Sequence, residues 1–391
     1  MAKISGSIFR RTLFWAHLSC GVAAGVLILI MSVTGVLLTY ERQMVESRAD
    51  ANRVSLSVGF PSLSADQLIE KARAAAAPDA QITLVFDADP ARPVTATLGR
   101  QQLLLHPQTG ELLPDAAAGI RSFFGTMENW HRRLGGESSS IRAKLLDLAN
   151  LLFVFIILSG IYLWLPAVWK WGVLRGHMLF RPGYGTSMAR DYNWHHVFSF
   201  WMFIPLLLIA FSGAVFSYPW VNKLVFAAYG ESPPQRQGPP GGGPTANAPG
   251  QNGDAGADVP AQRASAQQLL DVARAQFVDW QRISLPTSPR GDRIELSAEL
   301  KSEEARPPRQ TLTLSTQDAS VIRLSPPPAA TPPQTPAQRA RTWLRFIHTG
   351  EVYGVLGQTI AGLASLAACF LAYTGLALAW RRLIVPLYRR S

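Results

Sequence analysis

Cysteine is nearly absent from this chain: there are two in 391 residues, Cys20 and Cys369. Both fall inside apolar runs, which excludes a disulfide framework for any soluble segment. No Cys-x-x-Cys-His occurs, so covalent c-type attachment of haem is excluded as well. No Gly-x-Gly-x-x-Gly follows a strand pattern, so no dinucleotide-binding domain is evident. Charge is also sparse, at 16% of residues, with 37 cations against 26 anions for a net charge of +11. A basic excess can mark a nucleic-acid partner, but beside long apolar runs it sets membrane topology, so no nucleic acid is expected.

What is present is apolar length. Four runs, Leu18–Tyr40, Leu145–Leu165, Val197–Tyr218 and Val355–Trp380, each suffice to cross a hydrocarbon core about 30 Å thick. The first ends in Thr39-Tyr40-Glu41 rather than a small-residue cleavage site, so it reads as a retained helix. Lys3, Arg10 and Arg11 precede the first run, and Lys170, Arg175, Arg181 and Arg190 lie between the second and third. Arg381, Arg382, Arg389 and Arg390 follow the fourth. The basic side is cytoplasmic, so both termini are expected inside and the two long loops outside. The expected plan is a tail and first span (1–40), an outer segment (41–142), a second span (143–166) and a cytoplasmic loop (167–194). A third span (195–218), a second outer segment (219–346), a fourth span (347–380) and a tail (381–391) complete it.

The two halves read as a duplication. Gly35 follows His17 by eighteen residues and lies in Thr34-Gly35, with Tyr40 five further on. Gly213 follows His195 by eighteen residues and lies in Ser212-Gly213, with Tyr218 five further on. Ser159-Gly160 leads into Trp164 as Thr374-Gly375 leads into Trp380. Such small pairs serve close helix packing, and equally make room for the face of a planar cofactor. Each outer segment has the pattern of a small α+β unit. The first predicts a helix over 64–77 and strands at 81–86, 93–98 and 102–106, with the turn Pro107-Gln108-Thr109-Gly110 leading to Leu112-Leu113. The second predicts a helix over 266–280 and strands at 282–285, 293–300 and 310–315, with the turn Thr316-Gln317-Asp318-Ala319 leading to Val321-Ile322. Residues 231–260, rich in Pro, Gly and Ala, read as a flexible insertion, and Pro326–Pro336 as a second joint.

Five of the seven histidines lie at the ends of the apolar runs: His17, His131, His195, His196 and His348. With the N-terminus inside, His17 falls beside His195 or His196 at one face, and His131 beside His348 at the other. Only one of two adjacent helical residues can face a partner helix well, and the eighteen-residue offset favours His195. Two imidazoles per face suit a planar metal cofactor with two axial ligands. They fit zinc or copper poorly, because no cysteine or consistent carboxylate joins them. His106 and His177 read as surface residues.

The segments Phe14-Trp15-Ala16-His17, Asn193-Trp194-His195-His196-Val197, Ser159-Gly160-Ile161-Tyr162-Leu163-Trp164 and His348-Thr349-Gly350-Glu351-Val352-Tyr353-Gly354 resemble the PepSY-associated transmembrane family. Leu105-His106-Pro107-Gln108-Thr109-Gly110-Glu111 resembles its soluble strand-turn signature, and the second copy departs from it by lacking the glycine. The likeness spans nearly the whole chain outside 231–260 and is strongest to inner-membrane bis-haem reductases of ferric siderophores such as ferrioxamine. It implies an α-helical membrane protein of four transmembrane helices in two helix–PepSY–helix repeats, with two small α+β periplasmic domains in the bacterial inner membrane. It further implies two haem b groups with His17, His131, His195 and His348 as axial ligands of the iron. Bis-imidazole ligation of this kind favours electron transfer over oxygen binding. Arg132, Arg133 and Arg345 are then candidates for the haem propionates or the substrate. The expected activity is an oxidoreductase reducing Fe(III) in a periplasmic siderophore, with a quinol or a separate cytoplasmic reductase as donor. Two alternatives stay open at this point. One is a cytochrome b-like quinol oxidoreductase with another acceptor, and the other is a non-enzymatic PepSY membrane anchor that binds a partner.

Overall fold

A computed structural model describes residues 2–77, 80–99, 101–166, 169–234, 263–289, 291–302, 307–326 and 334–388, without the side chains of 2–7. The side chain of Lys3, the residues Arg389 and Arg390, and most of the 231–260 insertion and the 326–336 joint lie outside the described residues. In chain order the helices are α1 Ala2–Leu38, α2 Glu41–Ala49, α3 Ala65–Ala74, α4 Ala118–Arg133, α5 Ile141–Trp164, α6 Trp171–Met178, α7 Ser187–Ser217, α8 Pro219–Ala227, α9 Ala266–Gln276, α10 Pro336–Thr349, α11 Gly354–Leu383 and α12 Val385–Tyr388. The strands are β1 Ile82–Asp87, β2 Val94–Leu98, β3 Gln101–Leu105, β4 Leu112–Leu113, β5 Trp280–Pro286, β6 Arg293–Leu300, β7 Arg309–Ser315 and β8 Val321–Leu324. They fall into two compact units, one of residues 1–43, 121–234 and 334–391, the other of 44–120 and 235–333.

The first unit is built on α1, α5, α7 and α11, which among the described residues are the four helices long and apolar enough to cross a membrane. They pack in a closed ring, α1 on α5, α5 on α7, α7 on α11 and α11 back on α1. Small residues line its interior: Ala24, Ala149, Ala210, Ala364 and Ala368 are almost fully buried. Val26, Ile204, Leu158 and Leu363 are exposed on its outside. That inversion suits a lipid solvent, in which close backbone approach rather than hydrophobic burial drives helix association. The helices begin earlier than the apolar runs. His17, His195 and His196 therefore sit several residues inside helices, and Arg10, Arg11 and Arg190 are helical rather than flanking. Helix propensity carried the chain past the point where hydropathy stops.

His131 and His348 lie on the separate helices α4 and α10, which precede α5 and α11. The segment from Arg121 onward, placed by sequence with the first outer segment, belongs to the helical unit. Thr335 caps α10 reciprocally with Gln338, and the helix ends at Gly350 in the left-handed region (φ 77°). A Cβ at Gly350 would lie 2.6 Å from the Gly357 carbonyl oxygen, so only glycine lets this corner fold back onto α11. The corner fixes the height of His348.

The second unit corrects the expectation of two separate α+β domains. All eight strands form one antiparallel sheet, ordered β4-β3-β2-β1-β5-β6-β7-β8. Strands β1 and β5, the first of each segment, pair centrally with Leu84 opposite Leu285. Joined through this pair, the two halves share one core that includes Leu68, Leu84, Leu105, Leu270, Leu285, Leu296 and Leu312. Helices α3 and α9 cap each other's N-termini. The Asp66 carboxylate accepts from the Ala266 and Gln267 amides (2.8 and 3.0 Å), and Gln267 Oε1 accepts from the Ala65 amide (2.8 Å). Helix α9 stops at Gln276, and Trp280, expected at the helix end, opens β5 instead. His106, expected at the surface, is half-buried, and its Nδ1 accepts from the Gln108 and Thr109 amides. The second turn has no glycine, and Ala319 takes the left-handed conformation (φ 57°) that Gly110 takes in the first (φ 67°).

Candidate functional site

Each of the four hydroxyls in Thr34-Gly35, Ser159-Gly160, Ser212-Gly213 and Thr374-Gly375 meets a histidine from a different helix. His17 Nδ1 on α1 lies 2.9 Å from Ser159 Oγ on α5, and His195 Nδ1 on α7 lies 2.9 Å from Thr374 Oγ1 on α11. His131 Nδ1 on α4 lies 3.0 Å from Thr34 Oγ1 on α1, and His348 Nδ1 on α10 lies 2.9 Å from Ser212 Oγ on α7. The first two contacts form one level and the second two another. Seventeen residues separate His17 from Thr34, and seventeen separate His195 from Ser212. At a rise of 1.5 Å per residue the levels are about 26 Å apart along the helices.

The hydrogen bonds fix the tautomer. A hydroxyl has one proton to give. Ser159 gives its proton to the Phe155 carbonyl (2.7 Å), Thr374 to Phe370 (2.7 Å), Thr34 to Ile30 (2.8 Å) and Ser212 to Ile209 (2.8 Å). Each hydroxyl must then accept from the imidazole, so Nδ1 carries the hydrogen. For His131 and His348 a second acceptor says the same, because the Met31 and Ile209 carbonyls each lie 3.0 Å from Nδ1. All four rings are left with a bare Nε2, the form that binds a metal, with the other nitrogen anchored. Burial also lowers the affinity of His131 for a proton, to a pKa of about 4, and the neighbouring His348 pushes the same way. His348 is lowered too, chiefly by burial. Both are neutral at pH 7.

The glycines seat the rings. A Cβ on Gly160 would meet His17 Cε1 at 3.3 Å, on Gly375 would meet His195 Cε1 at 3.4 Å, and on Gly35 would meet His131 Cε1 at 3.5 Å. Gly35 meets Ser365 Oγ closer still, at 3.3 Å, and Gly213 meets Asn150 and no histidine. The close approach these pairs allow is thus largely that of an imidazole onto a helix. The sequence pointed to the pairs through their offset from histidine, but not to the hydroxyl as the ring's anchor.

At the second level the rings of His131 and His348 have centroids 6.2 Å apart at 64°. Two imidazoles on opposite sides of one metal ion, with metal–nitrogen bonds of about 2.0–2.1 Å, would have ring centres roughly 6 Å apart. The spacing and the tautomer both fit such a pair. At the first level His17 and His195 lie within electrostatic reach of each other. Phe198 and Phe370 stack nearby (5.0 Å, 7°), with Trp194 edge-on at 5.8 Å. Among the described residues no three His, Cys, Asp or Glu side chains converge on one point.

His196 has other partners. Its Nδ1–H donates to the Tyr192 carbonyl (2.8 Å), and its ring lies 4.1 Å from that of Tyr192 and 4.8 Å from that of His177. His177, expected at the surface, is half-buried, with Trp164 5.9 Å away on its other side. Sequence alone gave no sign of this cluster, because the segment that returns His177 to α7 has no regular periodicity.

The candidate arginines divide. Arg132 is exposed, pairs with Glu128 (2.7 Å), and lies within electrostatic reach of both second-level histidines. Arg133 is half-buried beside it, and Arg345 is exposed one helical turn before His348. At the other end Arg10 donates to the Leu163 and Leu165 carbonyls at the end of α5 (2.8 and 3.0 Å). Asp191, fully buried, holds Arg190 and Arg381 and so ties α7 to α11. Arg382 covers Phe14 at 4.7 Å. These cations have structural work beyond setting topology.

Four membrane-length helices with anchored imidazoles at two levels, and one sheet inserted in two parts, define a multi-pass membrane protein of mixed architecture. The chain belongs to the PepSY-associated TM region family, whose model matches residues 14–382. No curated relative is similar enough to match.

Proposed function

We propose that this protein carries two b-type haems, one between His17 and His195 and one between His131 and His348, and reduces Fe(III) in siderophores. In this reading it lies in the bacterial inner membrane with both termini cytoplasmic, as two helix–PepSY–helix repeats whose sheet unit is periplasmic. The observation that carries the reading is the four-fold recurrence of one arrangement, an imidazole with Nδ1–H anchored on a helix hydroxyl and Nε2 bare, in two pairs at two depths. The haems would supply one-electron chemistry across the helix bundle.

The chain's own residues hold and orient. Ser159 and Thr374 anchor the cytoplasmic-side ligands, and Thr34 and Ser212 the periplasmic-side ligands. A hydrogen bond at Nδ1 stiffens the ring and raises the basicity of Nε2. Arg132, Arg133 and Arg345 supply positive charge near His131 and His348, where propionates or the ferric siderophore would sit. Adding one electron to siderophore Fe(III) gives Fe(II), which oxygen ligands hold far less tightly, so the iron is released. The siderophore class comes from the family resemblance, and the ligand geometry bears on the haems alone.

The test is haem stoichiometry by pyridine haemochrome, with reduced protein then mixed anaerobically with ferric siderophores. Two haems per chain are expected. His17→Ala should lose one and His348→Ala the other. One haem per chain, or the same spectral component lost in both variants, would refute the pairing. Full haem loading without oxidation by any ferric siderophore would leave a carrier with another acceptor.

A further inference from the structure

A cavity of about 310 Å³ opens where α6 and the following loop return to the start of α7, lined by His177, Arg181, Tyr192, Asn193 and His196 among others. Its wall is prefabricated. Asn193 is buried and fully used: its amide donates to the Gly176 and Leu179 carbonyls (2.9 and 3.2 Å), and its Oδ1 accepts from the Tyr184 hydroxyl (2.7 Å) and the Arg181 amide (3.3 Å). The loop is thereby pinned to α7 without needing a ligand.

The polar groups left over are specific. His196 spends its Nδ1–H on the Tyr192 carbonyl, so its Nε2 is a bare acceptor. His177 Nδ1 is buried without a hydrogen-bond partner. Arg181 brings a guanidinium whose tip lies against Gly176. The rings of Tyr192, His196 and His177 follow one another along the cavity wall at 4.1 and 4.8 Å, tilted by 36° and 47°, with Trp164 behind His177 at 5.9 Å. The cavity thus offers a hydroxyl acceptor, one cationic donor in Arg181 and aromatic faces beside which one ring can lie. Its volume sits at the small end of ligand pockets. It also lies where the apolar run of α7 begins, next in sequence to His195, with Trp201 bonded across to the Met178 carbonyl (2.8 Å). Lipid-soluble molecules with a polar head gather at that depth.

We propose that this cavity binds the head group of a quinol or quinone, with a ring hydroxyl donating to His196 Nε2 and the opposite oxygen accepting from Arg181 or His177. As the identity of the electron donor, this rests on the two-haem reading above; as a binding site, it is measured without it.

The experiment is photolabelling of the full-length protein in detergent with an azido-benzoquinone, competed by decylubiquinone, with the labelled peptide mapped. Label is expected within residues 176–196, displaced by competitor. Decylubiquinone affinity should weaken at least tenfold in Arg181→Gln and in His177→Leu. Haem spectra are recorded on the same samples. Label elsewhere in the chain, no saturable binding to wild type, or unchanged affinity in both variants would each overturn the proposal. Saturable, site-mapped binding to protein that carries no haem would sustain the cavity assignment and overturn the two-haem reading instead.

Discussion

At the scale of single residues, the function proposed here depends on four hydroxyls that never touch the reacting atoms. Removing such an anchor typically costs 10–100-fold in metal affinity. Ser212→Ala should therefore speed haem loss from the His348 level by about that factor, and Ser212→Thr should restore most of it; transfer of haem to apomyoglobin reads both. The glycines make the complementary test. Gly160→Ala pushes a methyl to 3.3 Å from His17 Cε1, whereas Gly21 has nothing within 4 Å. Gly160→Ala should lower occupancy of the His17 level while Gly21→Ala leaves it unchanged. His131 adds a pH dependence. Its pKa falls from an ordinary 6.5 to about 4 on folding. The unfolded chain therefore takes up the proton first, and the stabilisation, complete above pH 6.5, drains away as pH falls toward 4. Thermal unfolding of the haem-free protein across that window should show the slope, and His131→Gln should flatten it.

At the scale of elements, the four spans were legible because apolar length is unambiguous, and the strands because alternation such as Ile294, Leu296 and Ala298 survives one-sided burial. Helix ends were not legible in α1 and α7, since hydropathy marks where lipid begins rather than where the helix does. Nor was the joining of two strand sets into one sheet, because strand pairing across nearly two hundred residues leaves no local trace. The four histidines proposed as ligands were marked in the sequence only by their place at the span ends. Their anchors could not, because a serine beside a glycine looks the same whether it packs or accepts a hydrogen bond. The second turn shows how little a missing motif residue needs to change. Ala319 holds the left-handed conformation without being glycine, at a steric cost of roughly 1–2 kcal/mol that glycine would avoid at some entropic expense. Ala319→Gly should stabilise the protein by about 0.5–1 kcal/mol, read from denaturant unfolding of the sheet unit.

At the scale of the whole molecule, the proposal fixes a direction. With reductant sealed inside vesicles and ferric siderophore outside, Fe(II) caught by an impermeant chelator should appear outside when the His131 face points outward. Product formed only with siderophore on the reductant's side would reverse the topology. Neutralising Arg133 to Gln should slow oxidation of the reduced protein by ferric siderophore with haem content unchanged, if this group docks the siderophore or sets the haem potential through its charge.

The seventeen-residue interval in α1 and in α7 has a mechanical meaning. One rigid shaft carries a histidine at one station and the anchor for another helix's histidine at the next, so the two stations share a single rotational phase. Each residue added between them turns the far station by about 100°. A lone alanine inserted between His17 and Thr34 would swing Thr34 off His131 while leaving His17 on Ser159, and no side-chain adjustment could restore it. The interval between the stations is therefore fixed in number by geometry, before any chemistry of the residues that fill it.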